Sequence, residues 1–458
     1  MPQPPSQSLL DATLRRTARR YSVPAISRIP TEGASPATAL AVAIERARLS
    51  LEAGGTPPPA LKHAFLDALE RLIRDALREP DGDPVFQAML LRHRLASVRE
   101  YASLSARAAQ DRREIIAAAN AIAHPAKVER MPAGPAREAM AALHAAAVSE
   151  SWTTLPAAAR HLLALSSATG QPSAAAALDR LPASPALERL RRLDELAAED
   201  EVRRYRALWE QQGPRPGSAG ALAEGNASRR RGDAVEALAL QALQALARRL
   251  NDAEGRQAYQ AVSSMRVPPT IPANAERAKS EWDAALLRRC ADENAPPAWD
   301  LCLLLEAKAS ADAAATDFPR LLRGLRLLAH ADPQTNYAFS TRQGRFALRG
   351  ASLRGLPVDG PRLDATVLYF CNGPAESIPR LLSAASRMQL LSAPPSLEYA
   401  SRAAQDQNAA QALAPVWQLL LESPQWASVL HQYPTLCQAR ELMVHADDLT
   451  DALNAIAA

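Results

Sequence analysis

The sequence predicts a mostly α-helical chain that contains one α/β region. Ala, Leu and Arg dominate its 458 residues, and aromatic residues make up only 4% of them, a composition that favours close-packed helices. Apolar residues recur at spacings of three and four in long segments, for example at Leu61, Phe65, Leu69 and Leu72, as on the buried face of a helix. Between residues 262 and 371 the apolar runs are short and are separated by Pro and polar residues, which is typical of strands.

Residues 1–212 are predicted to form an all-helical region. It begins with a short amphipathic helix at 9–21, and Pro and Gly fill the breaks between the later helices. These later helices are predicted at 37–53, 60–78, 84–120, 135–150, 155–167 and 184–211. The Gly- and Pro-rich segment 212–220 then predicts a linker and a domain boundary.

Residues 217–375 are predicted to form the α/β domain, with a sheet of about five strands. Its predicted helices are 228–250 and 317–328, and its predicted strands are 262–267, 283–289, 299–308, 337–348 and 365–371. Residues 376–458 return to helical patterns, at 376–391, 396–407, 413–421 and 436–457, and are expected to pack on this domain.

The strand predicted at 299–308 ends on two charged residues. Its apolar run, Leu301 to Leu305, is followed by Glu306, Ala307 and Lys308. Because side chains alternate between the faces of a strand, Glu306 and Lys308 lie on the same face. Of the 53 cationic residues only four are Lys, at 62, 127, 279 and 308. Lys308 is therefore a specific choice in a chain that otherwise uses Arg, and a buried Lys can shift its pKa as Arg cannot.

The preceding strand places Asp283 opposite Glu306. The two strands are joined by the polar segment 290–298, which indicates a hairpin with its turn at 292–295. Paired residues in an antiparallel hairpin have a constant index sum, and a turn centred there gives 589, the sum of 283 and 306. Asp300 is six residues from Glu306 along one strand, roughly 20 Å away, so these two carboxylates cannot share a metal ion.

An Asp, a Glu and a Lys that converge at a sheet edge, with Glu and Lys as Glu306-x-Lys308, resemble the core of the PD-(D/E)XK phosphodiesterase superfamily, which has the restriction-endonuclease-like fold. The resemblance implies a nuclease in which Asp283 and Glu306 bind Mg²⁺ or Mn²⁺ and Lys308 helps to activate the attacking water. The family pattern includes a Glu on a preceding helix, and Glu236 matches that position. The resemblance covers about residues 217–375, and it departs from the family at Trp282, which stands where the pattern has Pro.

The basic residues suggest nucleic acid, with DNA favoured, as the substrate. The net charge of +4 and the isoelectric point near 9.0 permit such binding. Arg320, Arg323 and Arg326 recur every third residue and predict a basic stripe beside the site that binds nucleic acid; a solvated helix face is the alternative. Arg231, on the helix predicted at 228–250, is a further candidate for nucleic-acid binding. Gln343 and Arg345 are further candidates for substrate contacts. The helical region at 1–212 is expected to recognise the substrate or a protein partner.

Two other functions are alternatives to the nuclease. One is a helical interaction or nucleic-acid-binding protein that uses a non-catalytic nuclease-like fold, with Glu306 and Lys308 as a structural ion pair. The other is a (β/α)₈ enzyme, which the first 210 residues disfavour because they lack alternating strands. The four cysteines form no C-x-x-C pair, and no secretory signal or apolar span is evident, so a cytoplasmic protein without a membrane segment is expected.

Overall fold

The chain forms two compact units. The computed structural model describes residues 5–30, 33–166, 172–211, 213, 218–273, 276–290, 297–360, 362–376, 379–402 and 409–457. The sheet unit comprises residues 1–72, 216–390 and 410–458, and the helical unit comprises residues 73–215 and 391–409. Both the predicted linker at 212–220 and the predicted turn at 292–295 fall largely or wholly outside the described residues.

The described part of the helical unit contains only helices. Its helices are α4 (Pro84–Arg94), α5 (Ala96–Ala123), α6 (Pro125–Glu129), α7 (Pro135–Val148), α8 (Leu155–Ser166), α9 (Pro172–Arg180), α10 (Pro185–Ala197), α11 (Asp200–Glu210) and α16 (Pro394–Arg402). Pro at the first turn starts many of them, because this position needs no backbone N–H and has the φ angle that Pro imposes. Leu143, Trp152, Leu187 and Leu190 belong to the core of this unit.

Helices from three parts of the chain belong to the sheet unit. They are α1 (Pro5–Arg16), α2 (Pro36–Glu52), α12 (Ala219–Glu254), α13 (Ala311–Ala329), α14 (Gly350–Arg354), α17 (Ala414–Glu422), α18 (Ala427–Leu430), α19 (Gln432–Glu441) and α20 (Ala446–Ala457). Two further helices, α3 (Pro59–Leu77) and α15 (Ala384–Ser392), run across the boundaries between the two units.

Seven strands form one mixed sheet, five of them in a closed ring. The strands are β1 (Tyr259–Arg266), β2 (Glu281–Arg289), β3 (Ala298–Lys308), β4 (Asn336–Thr341), β5 (Gly344–Arg349), β6 (Val367–Cys371) and β7 (Met443–His445). Their order is β2-β1-β4-β5-β3-β6-β7, and an additional β2–β3 pairing closes the first five strands. The start of β3 pairs with β5, whereas its end pairs in parallel with β6.

Helices α12 and α13 contribute to the two different cores of the sheet. The apolar residues of α12, such as Leu243 and Leu246, belong to the same core as Leu303 and Leu305 of β3. The apolar residues of α13, such as Phe318 and Leu325, belong to the core that includes Leu304. Since Leu304, Glu306 and Lys308 share one face of β3, the charged end of this strand lies on the face that α13 covers.

The predicted fold class, mostly α with one α/β region, is confirmed. Four predicted elements were divided. The helix predicted at 84–120 is α4 and α5, and the helix predicted at 184–211 is α10 and α11, because Leu95 and Glu199 have extended backbone conformations.

The strand predicted at 337–348 is a hairpin of β4 and β5, with a two-residue turn at Arg342 and Gln343 that is followed by Gly344 at φ +126°, a conformation that favours glycine. The helix predicted at 436–457 is interrupted by β7, which pairs in parallel with β6, so the C-terminal segment is not wholly helical.

Candidate active site

The β2–β3 ladder brings Asp283 and Glu306 together. Ala284 pairs with Leu305, Ala285 with Leu304 and Leu286 with Leu303, so the predicted index sum of 589 holds over these three pairs. Asp283 is the next residue of this series and faces Glu306. Its Oδ2 accepts a hydrogen bond of 2.8 Å from the backbone N–H of Ala307, which fixes the carboxylate beside Glu306. A register shift follows only after Leu286.

Glu306 is the most enclosed charged group of the cluster. Its side chain is 0% exposed, and its Oε2 contacts the ammonium groups of both Lys279 and Lys308, the latter at 3.4 Å. Its other carboxylate oxygen, Oε1, is buried without a hydrogen-bond partner. Such an oxygen is costly to leave unsatisfied, so this carboxyl group calls for a proton or a further cation.

Burial also governs the protonation of Glu306. Loss of solvent and, to a smaller extent, the nearby Asp283 raise the pKa of Glu306, and Lys279 and Lys308 lower it only in part, so its pKa is raised to about 8. A well-compensated ion pair would instead hold a carboxyl pKa below its usual range. The two ammonium groups therefore do not fully satisfy this carboxylate.

Lys308 bridges β3 and α13. Its ammonium lies 3.3 Å from Asp317 Oδ2 on α13 and 6.0 Å from the ring centroid of Tyr369, whose hydroxyl donates to the same Asp317 oxygen. Burial lowers the pKa of Lys308, but Glu306, Asp317 and Asp283 raise it more, so the net shift is upward. Lys308 is accordingly protonated at neutral pH and acts as a hydrogen-bond donor and a positive charge.

Glu236 on α12 lies within electrostatic range of Asp283. Burial raises the pKa of Glu236, and the negative charge of Asp283 raises it further. Arg342, in the turn between β4 and β5, acts in the opposite direction on the same carboxyl group. The structure thus brings together Asp283, Glu306 and Lys308 in direct contact or register, with Glu236 nearby.

The predicted nucleic-acid-binding arginines lie outside this cluster. Arg320, Arg323 and Arg326 are exposed on α13, and Arg231 is exposed on α12. Among the described residues, none of these four forms an ion pair or hydrogen bond with the carboxylates of the cluster; Arg323 Nε donates 2.9 Å to the carbonyl of Arg277. Arg323 and Arg326 line a surface groove of about 410 Å³ with His330.

The sequence reasoning missed Lys279 and Asp317, although one signal for Lys279 was present. Two of the four Lys residues of the chain, Lys279 and Lys308, contact the same carboxylate, so the rarity of Lys marked both. Asp317 had no comparable signal. Its importance comes from α13 crossing the face of β3, which no local pattern specifies.

Gln343 has a structural role instead of an evident substrate contact. Its Oε1 accepts 2.8 Å from Ser263 N, and its Nε2 donates 3.2 Å to Ser263 Oγ, which ties the β4–β5 turn to β1. Arg345 is exposed on β5.

The carboxylates fit one divalent cation held largely by water. Mg²⁺ prefers oxygen ligands and usually retains several waters, so one or two protein carboxylates suffice. The Asp283 carboxylate and the unpartnered Oε1 of Glu306 offer such ligands. The described residues contain no group of three or more His, Cys, Asp or Glu side chains that could hold a metal ion, so the protein ligands would number at most two.

Comparison with protein-family models, with curated proteins and with solved structures finds no significant match to this chain. None of the described helices is both long and apolar enough to cross a membrane.

Proposed function

We propose that the chain is a metal-dependent phosphodiesterase that cleaves nucleic acid, with DNA as the favoured substrate. The observation that carries the proposal is the convergence of Asp283, Glu306 and Lys308 at the ends of two paired strands, with Glu236 close to Asp283. The resemblance to the PD-(D/E)XK superfamily implies this same set of residues. Two separate features of the sequence support it, namely the register of the β2–β3 hairpin and the presence of Lys at position 308.

Each residue of the site has a chemical role in this proposal. Asp283 and Glu306 would hold Mg²⁺ or Mn²⁺, with Glu236 as a further, water-mediated ligand. When bound, such an ion polarises the phosphate and lowers the pKa of coordinated water. Lys308 stays protonated because three carboxylates surround it, so it suits the orientation of water and the stabilisation of negative charge, and not the acceptance of a proton.

The exposed arginines would bind the phosphate backbone. Phosphate contacts position a nucleic acid without reading its sequence. The stripe of Arg320, Arg323 and Arg326, with the groove beside it, therefore supplies affinity without sequence preference, and Arg231 would extend it along α12. The helical unit would recognise the substrate structure or a protein partner.

A cleavage assay tests the proposal. Single- and double-stranded DNA and RNA are incubated with the full chain in EDTA, Mg²⁺ or Mn²⁺. We expect cleavage only with the metal, and a loss of at least about a hundredfold in Glu306→Gln and Lys308→Ala, the usual effect of removing a transition-state stabiliser. Glu129→Gln and Lys127→Ala, exposed on or beside α6 in the helical unit, are the matched controls. Metal-independent cleavage, or full activity of Glu306→Gln, contradicts the assignment.

A non-catalytic module is the second candidate, because the Glu306 side chain has no exposed surface and contacts two lysines. If Glu306 serves only as a structural ion pair, Glu306→Gln leaves the buried Lys279 ammonium without its carboxylate partner, whereas Lys308 keeps Asp317, and the free energy of unfolding falls by roughly 3–5 kcal/mol. The nuclease predicts lost cleavage with a melting temperature close to wild type in metal-free buffer. A large drop in melting temperature, in a protein that never cleaves, favours the non-catalytic module.

A further inference from the structure

Lys279 is held rigidly at the candidate active site. It precedes β2, is 5% exposed, and contacts Glu306 Oε2 through its ammonium. Its nitrogen lies 6.0 Å from the ring centroid of Trp282, and its Cβ packs so closely on α13 that a Cβ added to Gly324 would come within 2.7 Å of it. Packing therefore directs this ammonium to one carboxylate.

The Lys279 ammonium and a divalent cation would compete for the same carboxylate group, that of Glu306. Glu306 Oε2 already accepts from Lys279 and Lys308, while Asp283 is fixed next to it by Ala307. A divalent ion ligated by Glu306 would lie beside the Lys279 ammonium, and two positive charges at such a separation repel each other strongly in a buried site. Lys308 is better placed to remain, because Asp317 also holds it.

We propose that Lys279 is a tethered counter-ion of the metal site, which occupies Glu306 in the metal-free protein and is displaced when a divalent cation binds. The proposal rests on the proposed function, since it takes Asp283 and Glu306 as the metal ligands. Lys279 does not take part in the chemistry; it sets the concentration of metal at which the site fills. Its removal strengthens metal binding at Glu306.

Direct Mn²⁺ binding, followed by electron paramagnetic resonance or calorimetry without nucleic acid, provides the first test. Wild type is compared with Lys279→Met, which keeps the length and apolar packing of the side chain while removing its charge. We expect Lys279→Met to bind Mn²⁺ about tenfold more tightly or better, because a positive charge next to the ion is gone. Adding Glu306→Gln to either protein should abolish this binding.

Lysine reactivity in the wild-type protein provides a test that needs no folded variant. The full chain is treated briefly with an acetylating reagent, with and without Mn²⁺, and the modified lysines are quantified by mass spectrometry. We expect Mn²⁺ to increase the modification of Lys279 several-fold as its ammonium leaves Glu306. The exposed Lys127, in the helical unit, is the internal reference and should not change.

The outcomes separate this proposal from the proposed function. One outcome overturns the displacement but leaves the nuclease intact. In it, wild type and Lys279→Met bind Mn²⁺ equally strongly through Glu306, and Lys279 is equally unreactive with and without Mn²⁺. The ion would then use the unpartnered Oε1 of Glu306. Absence of Glu306-dependent binding in both proteins overturns the metal site itself, and the displacement with it.

Discussion

Glu306 illustrates how strongly burial can change a single carboxyl group. Ionising a carboxyl group away from water is costly unless cations and hydrogen bonds repay the cost. Two lysines approach Glu306 through one oxygen, and the other oxygen has no partner. The site is therefore short of positive charge in the metal-free protein, which is the electrostatic condition that favours the entry of a cation.

The stability of the metal-free protein should depend on pH through Glu306. Its pKa is raised from 4.5 to about 8, so between these values the folded state keeps a proton that the unfolded chain releases. The free energy of unfolding should therefore fall as pH rises through this window, by at most about 1.4 kcal/mol per pH unit for one proton. Urea unfolding in EDTA at a series of pH values measures this dependence.

Glu306→Gln should lack this component of the pH dependence, because an amide does not titrate. Glu129→Gln, which changes an exposed carboxyl group, should keep the wild-type dependence. Parallel stability curves for wild type and Glu306→Gln would show that Glu306 does not titrate in this range.

Helix α13 has two different faces, one apolar and buried and the other basic and exposed. Leu321, Leu325 and Leu328 are buried in the sheet core, whereas Arg320, Arg323 and Arg326 are exposed. Ser310 caps the helix, as its hydroxyl accepts from Ala313 N at 3.3 Å. One helix thus contributes Asp317 to the site and a basic surface to solvent.

Reversing the charge of the stripe should weaken nucleic-acid binding without changing sequence preference. The variant carries Glu at positions 320, 323 and 326. Each lost phosphate contact should reduce the magnitude of the slope of log K against log salt by about 0.9, so this magnitude should fall by up to about 2.7 in the triple variant. Fluorescence anisotropy over a salt series measures this.

The matched control reverses three exposed arginines of the helical unit, namely Arg113, Arg130 and Arg191. An equal effect of the two triple variants would mean that net charge alone, and not the stripe, governs binding.

Gly324→Ala should disturb the contact between α13 and the segment before β2. Its new Cβ would lie 2.7 Å from Lys279 Cβ and 3.2 Å from Trp282 Cζ2. We expect a loss of about 1–3 kcal/mol from overpacking, which exceeds the gain of roughly 1 kcal/mol in helix propensity. Gly232→Ala on α12 has nothing within 4 Å of its Cβ and should be neutral or stabilising in the same thermal melts. Equal melting temperatures of the two variants would contradict this packing.

The sequence predicted the elements that have strong local patterns and missed those that depend on distant partners. The β2–β3 register follows from the positions of the two apolar runs, so Asp283 and Glu306 could be paired in advance. Strand β7 has three residues and exists because β6 lies beside it, which nothing in Met443–His445 specifies. The same limit hid Asp317, whereas Lys279 could have been found from residue usage alone.

At the scale of the whole sheet unit, the closed ring of strands has a weak seam between β1 and β4. Their ladder contains the single pair Arg266 and Ser340, and Ser264 in β1 has a positive φ of 51°. Gln343 replaces the missing ladder bonds with its two hydrogen bonds to Ser263. The ring is therefore completed by a side chain as well as by backbone.

Gln343→Ala should destabilise the sheet unit by about 1–3 kcal/mol, the cost of leaving a buried N–H unsatisfied. Chemical unfolding of the full chain measures the loss, and hydrogen exchange of the Ser263 amide should accelerate. The exposed Gln334→Ala is the control and should match wild type. Unchanged exchange at Ser263 would exclude this role.

The segment after α1 contacts residues that are distant from it in the sequence, within the sheet unit. Arg20 donates 2.6 Å to Asp448, Tyr21 donates 2.5 Å to the carbonyl of Gly373, and Tyr433 donates 2.6 Å to the carbonyl of Pro24. The partners of these hydrogen bonds are between 352 and 428 residues apart in the sequence. During translation, residues 20–24 therefore lack these hydrogen-bond partners until residues 373, 433 and 448 have been synthesised, whereas α1 can already pack on α12.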